Sequence, residues 1–118
     1  MSVQRGDVVL LNFPFSSGAG SKLRPALVVQ NDQNNQRMGN TIVAMITSTT
    51  HRTHQPTQVL IDITTPEGQQ SGLRLTSAIT CENLFTVEQR LIARTIGSLQ
   101  PDTMKQVDDC LKASLGLA

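Results

Sequence analysis

Residues 5–30 read RGDVVLLNFP, FSSGAGSKL, RP, ALVVQ, and this stretch decides the fold: strand, loop, strand. Gly6 breaks the start, Val8 to Leu11 are strand formers, and Gly18 and Gly20 let the connecting loop turn. Pro25 sets the entry of the second strand, where a lost N–H donor can be spared. It also pushes Arg24 towards extended geometry. A lone arginine at the mouth of a buried strand, after a glycine-bearing loop, is suited to hold a phosphate.

Working outward, residues 41–47 (TIVAMIT) form a short apolar strand that stops in Ser48, Thr49 and Thr50. Residues 57–63 alternate, with Val59, Ile61 and Ile63 on one face and Leu60 and Asp62 on the other. Pro66, Glu67 and Gly68 turn the chain, through a short helix or a plain turn. Residues 73–81 read as one or two strands with Leu73, Leu75 and Ile79 inward, and residues 91–99 as the last strand. Between them, residues 86–89 read as a single helical turn capped by Thr86. A helix begins at Pro101-Asp102, a proline followed by a first-turn acid, and stops at Gly116. Met104, Val107, Leu111 and Leu115 recur along it at helical spacing, with Cys110 and Ser114 beside them. That stripe is expected to pack on the strands; a partner face is the alternative.

At 118 residues the chain has the size of one domain, 1–118, able to close a single core. There is no Trp or Tyr, and Phe13, Phe15 and Phe85 are the only aromatics, so aliphatic side chains must build that core. Such short strands suit a small barrel. The apolar runs fall short of the roughly 20 residues of a membrane span, and residues 1–10 lack a basic start with an apolar signal core. A soluble, cytoplasmic protein is expected. Cys81 and Cys110 lack CxxC spacing and read as reduced, packed thiols rather than a disulfide.

Net charge is only +1, which excludes a strongly basic nucleic-acid footprint in the bulk composition. The balance is +2 over residues 1–99 and −1 over residues 100–118. A phosphate-binding face therefore belongs on the strand-rich part, unless the charges are merely scattered and solvated.

Several of these pieces occur together in one order: Arg5-Gly6-Asp7-Val8, Arg24-Pro25 before a Val-rich strand, Gln30-Asn31-Asp32, Thr47-Ser48 at a strand end, and Val107-Asp108 on the last helix. In that combination, over nearly its whole length, the chain resembles the MazF/PemK toxins, small endoribonucleases of type II toxin–antitoxin pairs. The resemblance implies a mainly β fold with α, a small SH3-like barrel carrying a C-terminal helix. It also implies a homodimer, a single-stranded RNA substrate, sequence-specific cleavage of mRNA and inhibition by a cognate, MazE-like antitoxin.

RNA cleavage without a metal uses the neighbouring 2′-hydroxyl as nucleophile and passes through a phosphorane whose oxygens gather negative charge. The protein must bind that charge, help remove the 2′ proton and protonate the leaving 5′ oxygen. Arg24 suits the first task, because a planar guanidinium pairs two phosphate oxygens and keeps its charge. Thr47 is the second candidate: the resemblance has it act beside the arginine, whereas a strand-end threonine alone reads as a turn former. Ser48 shares or replaces its role.

A guanidinium is a poor base, so the proton acceptor lies elsewhere. The resemblance nominates Glu82, in Cys81-Glu82-Asn83; a surface carboxylate is the ordinary reading. His51 and His54 follow Thr47 closely, and imidazole titrates near neutrality; two solvated loop histidines would look the same. RNA contacts are expected from Ser21, Lys22, His51, Arg52 and His54. His51-x-x-His54 has no nearby cysteine or carboxylate to complete a metal set, and no metal or other cofactor is expected.

The chain departs from the family at two places. Its loop 18–23 reads Gly-Ala-Gly-Ser-Lys-Leu where many members carry a glutamate and paired glycines. Thr80 stands where some relatives place an arginine, which leaves no second catalytic guanidinium in the motif. Two other classes compete: a CcdB-like toxin of the same fold that poisons a protein such as DNA gyrase through its C-terminal helix, and a barrel that only binds RNA or protein.

Overall fold

β1 (Asp7–Asn12) and β2 (Leu23–Val28) pair antiparallel, Leu11 opposite Arg24 and Val8 opposite Leu27, in a computed structural model that describes residues 2–12 and 23–118. The expectations placed on residues 13–22, including Phe13, Phe15, Ser21 and Lys22, lie outside the described residues. Next come α1 (Asp32–Arg37), β3 (Asn40–Thr47), β4 (Gln58–Ile61), α2 (Pro66–Gln70), β5 (Ser77–Glu88), β6 (Ile92–Ser98) and α3 (Pro101–Leu115). The strands form one antiparallel sheet in the order β4-β5-β3-β2-β1-β6. A mainly β architecture with a C-terminal helix is therefore what the sequence encodes.

The sheet is buried on both sides, and strand alternation sorts its residues between them. Val8, Leu27, Ala44, Ile46 and Ile79 join one cluster with Met104 and Val107 of α3; Val9, Leu11, Ala26, Val28 and Val43 join the other, with Phe85 and Ile92 at its margin. Leu27 has no exposed surface. Its truncation to alanine would cost about 2–5 kcal/mol.

β5 is interrupted part-way along its pairing with β3. Ala44 of β3 faces Leu84, but the next residue, Met45, faces Thr80, so residues 81–83 bulge out of the ladder. The bulge is anchored: the Cys81 N–H donates to the Thr57 carbonyl at 2.9 Å and Asn83 Nδ2 to Thr80 Oγ1 at 3.2 Å.

Three expectations need correction, and one element lay outside them. Residues 86–88 are strand, because Thr86, Val87 and Glu88 pair with Ile42, Thr41 and Asn40; the helical turn comes later, at Gln89–Leu91, and has no side-chain cap. Leu75 is 62% exposed, since β5 begins only at Ser77 and Leu75 precedes the alternation. Leu115 is 58% exposed, because the buried face of α3 is Thr103, Met104, Val107 and Cys110 and does not reach the last turn. Finally, α1 was not anticipated: its DQNNQR sequence has no apolar stripe, and it is built on an Asn31 cap that accepts from the Asn34 N–H at 2.8 Å.

Arg5 clamps three of these parts together. Its N–H donates to Asp32 Oδ1 at 2.6 Å, its Nε to the Val29 carbonyl at 2.8 Å and its guanidinium to Asp108 Oδ1 of α3 at 2.6 Å. A second seam joins the connection after α2 to the far edge strand, β6. Gly72 has φ +75°, and a Cβ there would lie 2.0 Å from the Ile96 carbonyl oxygen; a Cβ on Gly97 would lie 2.3 Å from that of Gln70. Only glycine permits these approaches. Gln70 Nε2 adds a hydrogen bond to Ser98 Oγ at 3.2 Å.

Candidate functional site

The β2–β3 register places the first candidate pair. Ala26 faces Met45, Leu27 faces Ala44 and Val28 faces Val43. Two more steps set Arg24 against Thr47. Both side chains line a cleft of about 540 Å³, with Ser48 at its rim. Its floor is apolar, from Leu10, Pro25, Ile46 and Ile96, and residues 72–75 wall it on the side of the glycine seam. Arg24 is exposed and has no ion pair or hydrogen bond among the described residues. No aspartate or glutamate among the described residues lines the cleft.

Thr47 Oγ1 accepts the Thr49 N–H at 3.1 Å. This local turn occupies a lone pair and leaves the hydroxyl proton free to donate. Thr47 also lines a second hollow, of about 340 Å³, together with His51, Arg52, Gln58, Thr80, Glu82 and Asn83. The threonine thus stands between a cationic cleft and a hollow that contains the carboxylate of Glu82. The β5 bulge carries Glu82 into that position, and Gln58 Nε2 donates to its Oε2 at 2.7 Å. Gln58 is 8% exposed, and its own Oε1 is buried without a partner among the described residues.

The structure therefore brings together Arg24, Thr47 and Ser48 on one side of the threonine, and Glu82, His51 and Arg52 on the other. His54 lines neither hollow. Thr80 donates to the Met45 carbonyl at 2.7 Å and is buried, holding the bulge. Two residues in the cleft escaped the sequence reading: Arg74, on the wall, and Arg94, opposite Leu10 in the β1–β6 ladder. Neither adjoins a motif. The available signal was that Arg74 lies between Leu73 and Leu75 beside Gly72, and Arg94 three residues before Gly97.

A larger hollow, about 780 Å³, lies elsewhere, around α1 and residues 88–90, and contains none of these candidates. Its two charged side chains, Glu88 and Arg90, pair with each other at 2.6 Å. Beneath Glu82, burial pushes the Cys81 thiol up to about 12, with the nearby Cys110 and Glu82 adding to the effect. Burial likewise raises Cys110, helped by Asp109 and Glu82.

Residues 4–115 match the sequence model of a family described as PemK-like, MazF-like toxin of type II toxin–antitoxin system. The endoribonuclease EndoA of Bacillus subtilis (strain 168) is 33% identical over 118 residues, spanning 99% of this chain and 97% of the relative. Among solved structures, an endoribonuclease in complex with its cognate antitoxin from Mycobacterial species aligns with a TM-score of 0.77 at 24% identity, covering 99% of this chain and 98% of that one. The MazE–MazF complex (Form-III) from Deinococcus radiodurans aligns with a TM-score of 0.76 at 21% identity over the whole of both chains. These two likenesses concern the fold.

Proposed function

From the premise that the chain belongs to the PemK-like, MazF-like toxins of type II toxin–antitoxin systems, we infer that it is an endoribonuclease that cuts single-stranded RNA and is restrained by a cognate antitoxin. The observation that carries this reading is the cleft in which Arg24, free of ion partners among the described residues, meets Thr47 with no carboxylate in the lining. A scissile phosphate supplies the missing negative charge. The relatedness to EndoA and to toxins solved with their antitoxins supports the substrate and the partner.

In this reading the 2′-oxygen attacks the adjacent phosphorus, the bond to the 5′-oxygen breaks, and the products are a 2′,3′-cyclic phosphate and a free 5′-hydroxyl. Arg24 pairs two non-bridging oxygens as charge gathers on them. Thr47 donates a hydrogen bond from its hydroxyl to one of these oxygens. Ser48 assists from the rim. Glu82, across Thr47 from the guanidinium and held by Gln58, accepts the 2′ proton. His51 and Arg52 contact the RNA beside it. The leaving 5′-oxygen takes its proton from solvent water, and because the nucleophile belongs to the substrate the steps close without a metal.

The enzyme acts in the cytoplasm as a homodimer; no helix among the described residues is long and apolar enough to cross a membrane, and the family resemblance supports the dimer. The CcdB-like alternative, which would recruit a protein through α3, gains nothing from a helix whose apolar face is packed on the sheet.

The test is incubation with single-stranded RNA in EDTA. Cleavage yielding cyclic phosphate ends, and lost in Arg24→Ala, supports the reading. Intact RNA with a protein still toxic to cells would sink it. Glu82→Gln should slow cleavage by about 10²-fold; a wild-type rate would remove Glu82 as the proton acceptor.

A further inference from the structure

The cleft holds more positive charge than one scissile phosphate needs. Among the described residues Arg24, Arg74 and Arg94 all line it, no acidic side chain does, and none of the three side chains has an ion pair or hydrogen bond. Arg5 and Arg90 show the contrast, each paired to a carboxylate at 2.6 Å.

The three come together through strand pairing and the glycine seam. Leu10 faces Pro25 on one side and Arg94 on the other, so Arg94 lies two strands from the residue that follows Arg24. Arg74 follows Gly72, whose backbone is seated against the Ile96 carbonyl, two residues after Arg94. Its approach to β6 is thereby built into the main chain.

We propose that Arg74 and Arg94 bind the RNA phosphates that flank the scissile one, extending the contact made by Arg24 into a track along the strand. This rests on the endoribonuclease reading above. A volume of about 540 Å³ is that of a site for a molecule much larger than a lone anion. Its apolar floor of Leu10, Ile46 and Ile96 suits the faces of bases and sugars, and would be wasted on an inorganic ion. A flexible polyanion with apolar faces matches both.

The test uses a single-stranded RNA with 2′-O-methyl riboses throughout, which lacks the nucleophile, so binding is read without cleavage. Affinity is measured from 50 to 300 mM KCl. Arg74→Ala and Arg94→Ala should each lower the slope of log Kd against log salt by about 0.7, and the double variant by about 1.4. Arg94→Lys should retain the slope, whereas Arg90→Ala, outside the cleft and already paired, should leave it unchanged. Wild-type slopes in both single alanine variants would overturn the proposal while leaving the RNA reading intact. So would slopes that fall only for an oligoglutamate peptide, which would assign the arginines to an acidic protein segment. A wild type that neither binds the methylated RNA nor cuts ordinary RNA would remove the endoribonuclease reading, and the track with it.

Discussion

Arg5 and Arg24 belong to one stretch of sequence and carry the same guanidinium, yet the fold treats them in opposite ways. Arg5 is half-buried and bonded to Val29 and Asp108, two parts of the chain that it joins. Arg24 is exposed, faces a cleft without carboxylates and has no ion partner among the described residues. Donors satisfied inside the protein contribute to stability; donors left unsatisfied beside an apolar floor are available to a ligand. In the sequence Pro25 marks Arg24, but nothing beside Arg5 shows that its donors are used up inside the fold.

The sharpest way to break this contrast is Arg24→Ala. Cleavage should fall by about 10²–10³-fold while the melting temperature stays within a degree or two of wild type; a large loss of stability would make Arg24 a second Arg5. Arg24→Lys should recover only part of the rate, because an ammonium cannot pair two oxygens in one plane. Next in size is Thr47→Val, which keeps the β-branch and removes the hydroxyl. We expect a loss of about 10²-fold in kcat, and a wild-type rate would return Thr47 to the role of turn former that its bond from Thr49 already describes.

Arg5→Ala should do the converse. Its stability loss, read from the urea midpoint, should be about 1–3 kcal/mol, with the half-exposed Asp108 contact screened and the Val29 bond supplying much of it. Activity per folded molecule should not change. A drop in kcat at full folding would couple the clamp to the cleft.

The smallest effect concerns pH. The Cys81 thiol is raised to about 12 in the fold, against an ordinary value of about 8.5 in the unfolded chain. The native state thus favours the protonated thiol, a contribution present in full below about pH 8.5 and lost as pH rises towards 12. Native protein at pH 8 should therefore react with a disulfide reagent only as fast as it unfolds. Labelling at the rate of a free thiol would show that Cys81 is accessible beneath Glu82.

Where local pattern and long-range pairing agreed, the sequence was readable. The β1 and β2 strands, the Pro101 start and the Gly116 stop of α3 each carry their own signal, and Arg24 was marked by Pro25 beside it. Residues 86–88 misled because a Thr-Val-Glu run has a helix-start look, while pairing with residues 40–42 makes it strand. The bulge at residues 81–83 interrupts the alternation that would have shown β5 as one element. Asn31-x-x-Asn34, with Asp32 and Arg37 at the two ends, was the available trace of α1. Thr47 and Glu82 were found through resemblance rather than pattern, and the fold puts both around one hollow. Arg74 and Arg94 were out of reach, for their approach depends on a seam between glycines 25 residues apart in the chain.

That seam also limits how such a protein can change over generations. A wall packed by side chains can drift, since one substitution may shrink a residue and another enlarge its neighbour. Gly72 against Ile96, and Gly97 against Gln70, offer no such intermediate sizes, for the smallest addition already meets a carbonyl oxygen. The width of the cleft is inherited whole. New preferences for RNA must then arise in the side chains of the lining, where Ser48, Arg74 and Arg94 can be exchanged without reopening the seam.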